Sequence, residues 1–183
     1  MRQPTPMRAE PDHASEQVSE ALPGEPLSVT DEENGWTRVE TAYDYTGWVE
    51  ASALGGEPDE GWLSPTATDP IAYARTLIGA PYRWGGMTDR GIDCSGLVHM
   101  SFRATGRLLP RDAHLQEAAG EPVAAPRPGD LVSYGDDKLA DHVAFWLGEG
   151  RILHATGREG VCAVLEEPEP PELRLRRRQF FRF

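Results

Sequence analysis

The sequence contains no run of apolar residues long enough to cross a membrane, and its first residues lack the apolar segment of a signal peptide. We therefore expect no membrane span and a cytoplasmic protein; a secreted or periplasmic protein with a trimmed leader would give the same pattern. Basic residues are also few, since 18 lysines and arginines face 30 aspartates and glutamates and leave a net charge of -12. That balance argues against nucleic acid, or an anionic membrane, as a partner.

Cysteine is scarce too, and the two present, Cys94 and Cys162, allow at most one disulfide. We do not expect that bridge, because it would consume a thiol whose neighbours Asp93, Ser95 and Gly96 argue against apolar burial. Cys162 lies in an apolar, β-type segment, and we expect it to be a buried, small hydrophobic residue.

The charge is distributed unevenly and divides the chain in two. Through Thr68 there are 3 basic and 14 acidic residues, whereas the remainder has 15 basic and 16 acidic residues. A polar, turn-rich stretch lies just before this point. The sequence therefore predicts a first domain over residues 1–56, a linker over residues 57–68 and a second domain over residues 69–183.

The first domain consists of short β-type segments separated by turns. A Gly-Trp pair starts a segment at Gly35-Trp36 and again at Gly47-Trp48, and a strong turn signal precedes the first pair. Short strands with aromatic starts and polar turns are typical of a small all-β barrel.

The second domain begins with helical patterns and ends with strands. Helices are predicted after Asp69, from Cys94 and after Asp112, with both aspartates placed as N-caps. Strands follow, interrupted by an acidic, proline-rich loop over residues 166–172. This order predicts an α+β domain with helices packed on one side of an antiparallel sheet.

A glycine-rich, aromatic stretch, Pro81–Gly86, leads towards Cys94. Its glycines, Gly85 and Gly86, are too few to cradle a phosphate and are expected to let the backbone approach a substrate. Cys94 then stands at the start of an apolar helical pattern. Unpaired N–H groups at a helix N-terminus stabilise a thiolate, so we expect the pKa of this thiol to fall from about 8.5 towards neutrality or below.

Two histidines downstream are candidates for a base and for a group that orients it. His142 and His154 lie in strand-like segments on either side of Gly148–Gly150, a typical hairpin loop. With a three-residue turn, His142 lies opposite Thr156 and His154 is its diagonal neighbour on the same face; a two-residue turn would place the rings on opposite faces. The first register would allow both imidazoles to face Cys94 in space. His142 would then take the thiol proton, and His154 would fix the tautomer of His142.

Simpler interpretations compete with this one. Cys94 could be an inert core thiol and each histidine a satisfied sheet residue, but their joint occurrence favours catalysis. A zinc site formed by Cys94, His142 and His154 is a third hypothesis, because these are zinc-ligand types. The paired short spacing of structural zinc sites is missing, so we expect neither a metal nor a cofactor.

Four stretches of the second domain occur together in one known family. They are Asp93–Val98, a strand opened by a histidine at His142–Phe145, His154 after a short hairpin, and Tyr82–Gly86 ahead of the cysteine. In this combination the chain from about Asp69 onwards resembles the NlpC/P60 cysteine peptidases of the papain-like superfamily. The first domain resembles a bacterial SH3-like (SH3b) domain. The implied fold is α+β, a papain-like NlpC/P60 domain preceded by a small all-β SH3-like barrel.

The resemblance implies amide hydrolysis by acyl transfer. Cys94 would be the nucleophile, His142 the base and His154 the orienting residue. Tyr82 would lie in the oxyanion region together with the backbone N–H of Cys94, and Trp84 belongs to the same loop.

The resemblance also implies a pocket for a free amino terminus. In relatives that join an SH3b domain to this peptidase, the acid and the hydroxyl beside the cysteine bind that group, and the matching residues are Asp93 and Ser95. A tyrosine of the SH3b domain closes the pocket, with Tyr45 as first candidate and Tyr43 as second. An SH3b glutamate assists, and Glu16 is the candidate.

The implied substrate is a peptidoglycan stem peptide, L-Ala-γ-D-Glu-diamino acid, cleaved between γ-D-glutamate and an L-diamino acid such as meso-diaminopimelate. Because Asp93 could pair with an ammonium group, we expect a free L-alanine terminus and a role in cell-wall turnover or recycling. Relatives commonly carry a serine soon after the Pro-Arg pair (here Pro110-Arg111), where this chain has Arg111-Asp112-Ala113, so the contact of that hydroxyl is absent or replaced. Rival hypotheses are a CHAP-like amidase or acyltransferase on the same site, and a non-catalytic cell-wall-binding SH3b protein. The oligomeric state stays open.

Overall fold

The computed structural model describes residue 1 and residues 3–183, and its N-terminal part is a small sheet. The strands are β1 (Thr5–Arg8), β2 (Gln17–Ala21), β3 (Leu27–Glu33), β4 (Trp36–Thr41) and β5 (Thr46–Glu50), followed by a 3-10 turn at Ala51–Ala53. All pairs are antiparallel, in the order β2-β1-β5-β4-β3. The small all-β first domain is thereby confirmed.

Alternation and turn chemistry explain this sheet. Side chains alternate between the two faces of a strand, and the apolar set on the inner face is Met7, Ala21, Val39 and Val49. The turn between β3 and β4 falls at Asn34 and Gly35, whose φ angles are 47° and 85°. A tight hairpin turn needs this left-handed conformation, which asparagine and glycine adopt most readily.

The second domain is larger and mixed. Its helices are α1 (Pro70–Thr76), α2 (Cys94–Arg103), α3 (Ala113–Ala119) and α4 (Pro171–Arg174). Its strands are β6 (Met87–Thr88), β7 (Gly91–Ile92), β8 (Glu121–Pro122), β9 (Leu131–Gly135), β10 (Ala140–Gly148), β11 (Arg151–Thr156), β12 (Ala163–Pro168) and β13 (Arg177–Arg182). Strands β6 and β7 form a hairpin, and the others form an antiparallel sheet in the order β12-β11-β10-β9-β13-β8.

The main core lies between this sheet and helices α1 to α3, as the α+β prediction requires. Leu97 and Val98 of α2 belong to the same buried cluster as Val143 and Phe145 of β10. Alternation turns Ala144 to the other face, where a smaller cluster packs against Leu173 of α4 and Phe180 of β13. No helix in the described part of the chain is long and apolar enough to cross a membrane.

Two local predictions were wrong. Most of the predicted loop over residues 166–172 forms regular secondary structure instead. Strand β12 pairs with β11 up to Pro168, and α4 starts at Pro171. Ladder hydrogen bonds there outweigh the low strand propensity of glutamate and proline. Cys162 is exposed rather than buried, and its φ of 42° belongs to the turn before β12.

Residues in and next to β2 dock the first domain onto the glycine-rich stretch. Three of their side chains bond to residues 84–87: Glu16 with Nε1 of Trp84 at 2.6 Å, Gln17 with the carbonyl of Gly85 at 3.1 Å, and Glu20 with the N–H of Met87 at 2.8 Å. A Cβ atom at Gly85 would lie 2.6 Å from the carbonyl oxygen of Gln17, and one at Gly86 would lie 2.3 Å from that of Gly91. These glycines therefore admit the protein's own backbone, not a substrate as predicted.

The connecting stretch also contacts both domains. The N–H of Asp59 donates to the carbonyl of Gly24 at 2.9 Å, and the guanidinium of Arg103 in α2 lies 5.1 Å from the ring centre of Trp62. The boundaries 1–56, 57–68 and 69–183 stay predictions.

A buried guanidinium, that of Arg111, joins the first domain to α2. Its side chain is 1% exposed and pairs with the carboxylate of Asp93 through two bonds of 3.0 and 2.7 Å. It also donates to the hydroxyls of Ser19 at 3.2 Å and Ser95 at 2.9 Å, and to the carbonyl of Gly86 at 3.3 Å. Bidentate, charge-assisted bonds of this kind fix both partners in position.

Replacing Arg111 by methionine should lower the free energy of unfolding by about 3–5 kcal/mol, because the carboxylate of Asp93 would stay buried without a partner. Urea denaturation measures the change. Arg75→Met is the matched control, since Arg75 pairs with Glu166 at the surface and an exposed pair contributes at most about 1 kcal/mol. Equal losses in the two variants would contradict the role of Arg111.

Candidate active site

Cys94 is the first residue of α2, as the sequence predicts. Asp93 is the N-cap, and its Oδ1 accepts the N–H of Gly96 at 2.7 Å. The side chain of Cys94 is only 5% exposed, yet it lines a cavity of about 300 Å³ between the two domains. We call this the Cys94 cavity.

The thiol of Cys94 is protonated in the free protein, contrary to the expected low pKa. Burial raises the pKa of Cys94 to about 12, and the charge of Asp93 acts in the same direction. Hydrogen bonds from the backbone N–H groups of Val143 and Ser95, and the charge of Arg111, act in the opposite direction without outweighing burial. Val143 follows His142 directly, so this bond places the sulfur beside the histidine strand.

The two histidines lie on one face of the sheet. Strands β10 and β11 pair in the register that a three-residue turn predicts, with Phe145 opposite Leu153 and Trp146 opposite Ile152. Nε2 of His142 is 2.8 Å from Nδ1 of His154, with the ring planes at 79°. The two rings are therefore hydrogen-bonded edge to face.

Glu167 of β12 extends this pair and determines both tautomers. Its Oε1 lies 2.9 Å from Nε2 of His154. A carboxylate only accepts hydrogen bonds, so Nε2 of His154 carries a hydrogen, and Nδ1 of the neutral ring must accept one from Nε2 of His142. Nδ1 of His142 is then unprotonated and able to act as a base.

Electrostatics keeps this chain of groups in the required charge state. Burial lowers the pKa of His142 to about 3, and the charges of His154 and Arg176 act in the same direction. Burial also lowers the pKa of His154, although Glu167 opposes this. Burial acts to raise the pKa of Glu167, but hydrogen bonds from Arg158 and His154 outweigh it and hold that pKa below its ordinary value. At neutral pH both imidazoles are therefore neutral and Glu167 is ionised.

The competing zinc hypothesis receives no support from this geometry. Nε2 of His142 and Nδ1 of His154 are engaged with each other. Within the ranges described, no group of three or more His, Cys, Asp or Glu side chains could hold a metal ion.

The walls of the Cys94 cavity include most of the predicted binding residues. Glu16, Tyr45 and Trp84 line it together with Asp93 and Ser95. The hydroxyl of Tyr45 contacts both Asp112 Oδ1 at 3.3 Å and the carbonyl of Val18 at 3.4 Å. Glu16 and Tyr45 come from the first domain, which therefore forms part of the site.

Asp93 and Ser95 line the cavity but are already engaged by the protein. Both carboxylate oxygens of Asp93 bond to Arg111, and Oδ2 also accepts the N–H of Gly85 at 2.8 Å. The hydroxyl of Ser95 accepts from Arg111 and donates to Asp93 at 3.3 Å. The negative charge of Asp93 is thus balanced inside the protein.

Two predicted residues lie elsewhere. Tyr43 is not part of the cavity wall; its ring packs against His99 of α2, with 4.4 Å between ring centres. Tyr82 lies beside the cavity rather than in its wall, with its ring against Gly157. Burial raises the pKa of Tyr82 and the charge of Cys94 raises it further, which places the phenol within electrostatic range of the sulfur.

Sequence reasoning missed four polar residues of this region. Asp112, His114 and Asp141 line the Cys94 cavity, and Glu167 bonds to His154. Asp112 precedes α3 as predicted, but its side chain makes no cap hydrogen bond and accepts from Tyr45 instead. Its place beside the Pro-Arg pair was the available signal.

Alkylation tests the protonated thiol. In a Cys162→Ser variant, the rate of reaction of Cys94 with iodoacetamide should rise about tenfold per pH unit from pH 7 to 9, because only the thiolate reacts. Mass spectrometry of the modified peptide gives the rate. The control is Cys94→Ser, in which the exposed Cys162 should react at least about tenfold faster at pH 7. Rapid, pH-independent alkylation of Cys94 would contradict the raised pKa.

Comparison with known proteins identifies both domains. Residues 79–170 match the NlpC/P60 family, and residues 7–54 match the bacterial dipeptidyl-peptidase Sh3 domain. A gamma-D-glutamyl-L-lysine dipeptidyl-peptidase of Bacillus subtilis is 34% identical over 148 residues, which cover 77% of this chain and 49% of the relative. The chain thus spans about half the length of that relative.

Solved structures show the same fold. An NlpC/P60 family protein from Bacillus cereus superposes with a TM-score of 0.59 at 23% identity and covers 100% of this chain and 61% of its own. The peptidoglycan hydrolase RipB of Mycobacterium tuberculosis gives a TM-score of 0.55 at 30% identity, covering 70% of this chain and 72% of its own. This chain therefore belongs to the NlpC/P60 family and carries a bacterial SH3 domain ahead of its NlpC/P60 domain.

Proposed function

We propose that this chain is a cysteine peptidase that hydrolyses the bond between γ-D-glutamate and an L-diamino acid in peptidoglycan stem peptides with a free N-terminal L-alanine. The observation that carries the proposal is the Cys94 cavity, which combines a cysteine at a helix N-terminus with acidic walls, while the hydrogen bond from the N–H of Val143 holds the sulfur next to the strand of His142. At about 300 Å³ the cavity is at the small end of ligand sites, which supports a short peptide segment.

The acidic walls support recognition of an amino terminus, but the acids that we assign to it differ from the predicted Asp93. Asp93 is neutralised by Arg111, whereas within residues 1 and 3–183 the side chains of Asp112 and Glu16 bond only to neutral groups, the hydroxyl of Tyr45 and the indole of Trp84. We assign the ammonium group of the substrate to Asp112 and Glu16. Asp93 and Ser95 then shape the pocket rather than supply its charge.

The chemistry follows from the protonation states. His142 takes the proton from Cys94 as the sulfur attacks the γ-glutamyl carbonyl carbon, and His154 and Glu167 stabilise the resulting imidazolium. The backbone N–H of Cys94, with Tyr82 beside it, stabilises the oxyanion. His142 returns the proton to the leaving amine, and water then releases the acyl group.

The relatives support the choice of bond. The Bacillus subtilis relative is named a gamma-D-glutamyl-L-lysine dipeptidyl-peptidase, lysine being one of the diamino acids, and RipB is named a peptidoglycan hydrolase. A cavity of this size with acidic walls suits L-Ala-γ-D-Glu as the released dipeptide, and a free L-alanine marks the substrate as a turnover fragment.

Blocking the amino terminus tests the acidic pocket. We expect kcat/KM for L-Ala-γ-D-Glu-meso-diaminopimelate to exceed that for its N-acetyl analogue by about 10–100-fold, because acetylation removes the charge that pairs with the half-buried Asp112 and the exposed Glu16. Product release followed by liquid chromatography gives both constants. Asp112→Asn should shrink the ratio, whereas Asp31→Asn, an exposed acid of the first domain, should not. Equal cleavage of both peptides would remove the amino-terminal pocket.

Glu167→Leu should lower kcat by about 10–100-fold, because His154 loses the acceptor that determines its tautomer. KM should change little, since Glu167 lies behind the histidines. The matched control is Glu166→Gln on the neighbouring position of β12, where the side chain pairs with Arg75 and not with His154. Similar kinetics in both variants would show that the chain of groups ends at His154.

A further inference from the structure

A second cavity lies against the two histidines. It has a volume of about 270 Å³ and is lined by both histidines, whereas the Cys94 cavity is lined by neither. Asp141 lines both, so the two cavities meet beside the base. We call the second one the His142 cavity.

The reaction determines what this cavity holds, if the proposed function is right. The group that takes the proton of the thiol must return it to the leaving amine, so the leaving residue lies against His142. The acyl part occupies the Cys94 cavity. The leaving diamino acid therefore occupies the His142 cavity.

Both arginines of the His142 cavity are paired with carboxylates, but they are not held equally firmly. Arg158 is held twice, by Glu167 at 2.7 Å and by Glu172 at 3.2 Å. Arg176 has Asp141 as its carboxylate partner, at 2.5 Å. The side chain of Asp141 is 62% exposed and that of Arg176 is 32% exposed. An exposed carboxylate is easily displaced by another, so this pair can open to a ligand.

An opened pair presents one cation and one anion side by side. The side chain of lysine ends in an ammonium group alone, whereas that of meso-diaminopimelate ends in an ammonium group and a carboxylate on the same carbon. A guanidinium binds a carboxylate through two parallel bonds, and Asp141 remains available for the ammonium group. The pair therefore matches the end of diaminopimelate better than that of lysine.

We propose that Arg176 and Asp141 form the binding site for the side-chain end of the leaving residue and select diaminopimelate over lysine. The α-carboxylate is common to both tripeptides and cancels from the comparison. Arg176 and Asp141 line the same cavity as His142, which places the site next to the base.

Competition between two tripeptides tests the proposal. For the wild-type protein, kcat/KM for L-Ala-γ-D-Glu-meso-diaminopimelate should exceed that for L-Ala-γ-D-Glu-L-Lys by about tenfold or more, the effect of one charged hydrogen bond. Arg176→Gln should lower the first constant by about the same factor, leave the second within about threefold and so abolish the preference. Arg75→Gln, a surface arginine outside both cavities, should preserve it.

A modified substrate gives the same information without a variant. Amidation of the side-chain carboxylate of diaminopimelate should lower kcat/KM for the wild-type protein to the value for the lysine peptide. Equal kcat/KM values for the three peptides, or a preference that survives in Arg176→Gln, would overturn the assignment of Arg176 while leaving the proposed function intact. Failure to cleave any of them would instead overturn the proposed function.

Discussion

The buried ion pair between Arg111 and Asp93 is the constraint on which the rest of the site depends. Removing two charges from water is costly unless their hydrogen bonds are complete, and here the guanidinium satisfies them with Asp93, Ser95, Gly86 and Ser19. Each of these groups belongs to a different part of the site: the cap of α2, its first turn, the glycine-rich stretch and strand β2 of the first domain. The same interaction therefore fixes the nucleophile and the wall opposite it.

A second chain of hydrogen bonds determines the protonation of the two histidines. It runs from His142 through His154 to Glu167, and Arg158 holds Glu167 in place. Since the carboxylate at its end only accepts, the direction of every hydrogen bond is determined, and a bare Nδ1 is left on His142. Burial lowers the pKa of both histidines and so favours their neutral forms. Arg111 thus fixes the position of the Cys94 sulfur through Asp93, and Glu167 determines the tautomer of His142 through His154.

Local patterns in the sequence were enough for the parts of the site set by local geometry. The helix that starts at Cys94 follows from capping and apolar spacing, and the alignment of His142 with His154 follows from a three-residue turn. Glu167 was out of reach, because β11 and β12 are joined by a longer loop that does not determine their register. The contact of Arg111 with Ser19 spans 92 positions and leaves no periodic signal. The predicted pKa of the Cys94 thiol was wrong for the same reason. The position of a helix N-terminus follows from neighbouring residues, whereas burial depends on residues far away in the sequence.

The first domain takes part in the buried network of Arg111 and also forms one wall of the Cys94 cavity. Three residues of its surface, Glu16, Val18 and Tyr45, line the Cys94 cavity. They come into place only because β2 docks on the glycine-rich stretch, and that docking relies on bonds to backbone groups that side chains at Gly85 or Gly86 would displace. The first domain therefore bounds the cavity on one side and also contributes to its charge through Glu16. A chain without this docking would keep Cys94 and the two histidines but would lose the wall that Glu16, Val18 and Tyr45 form.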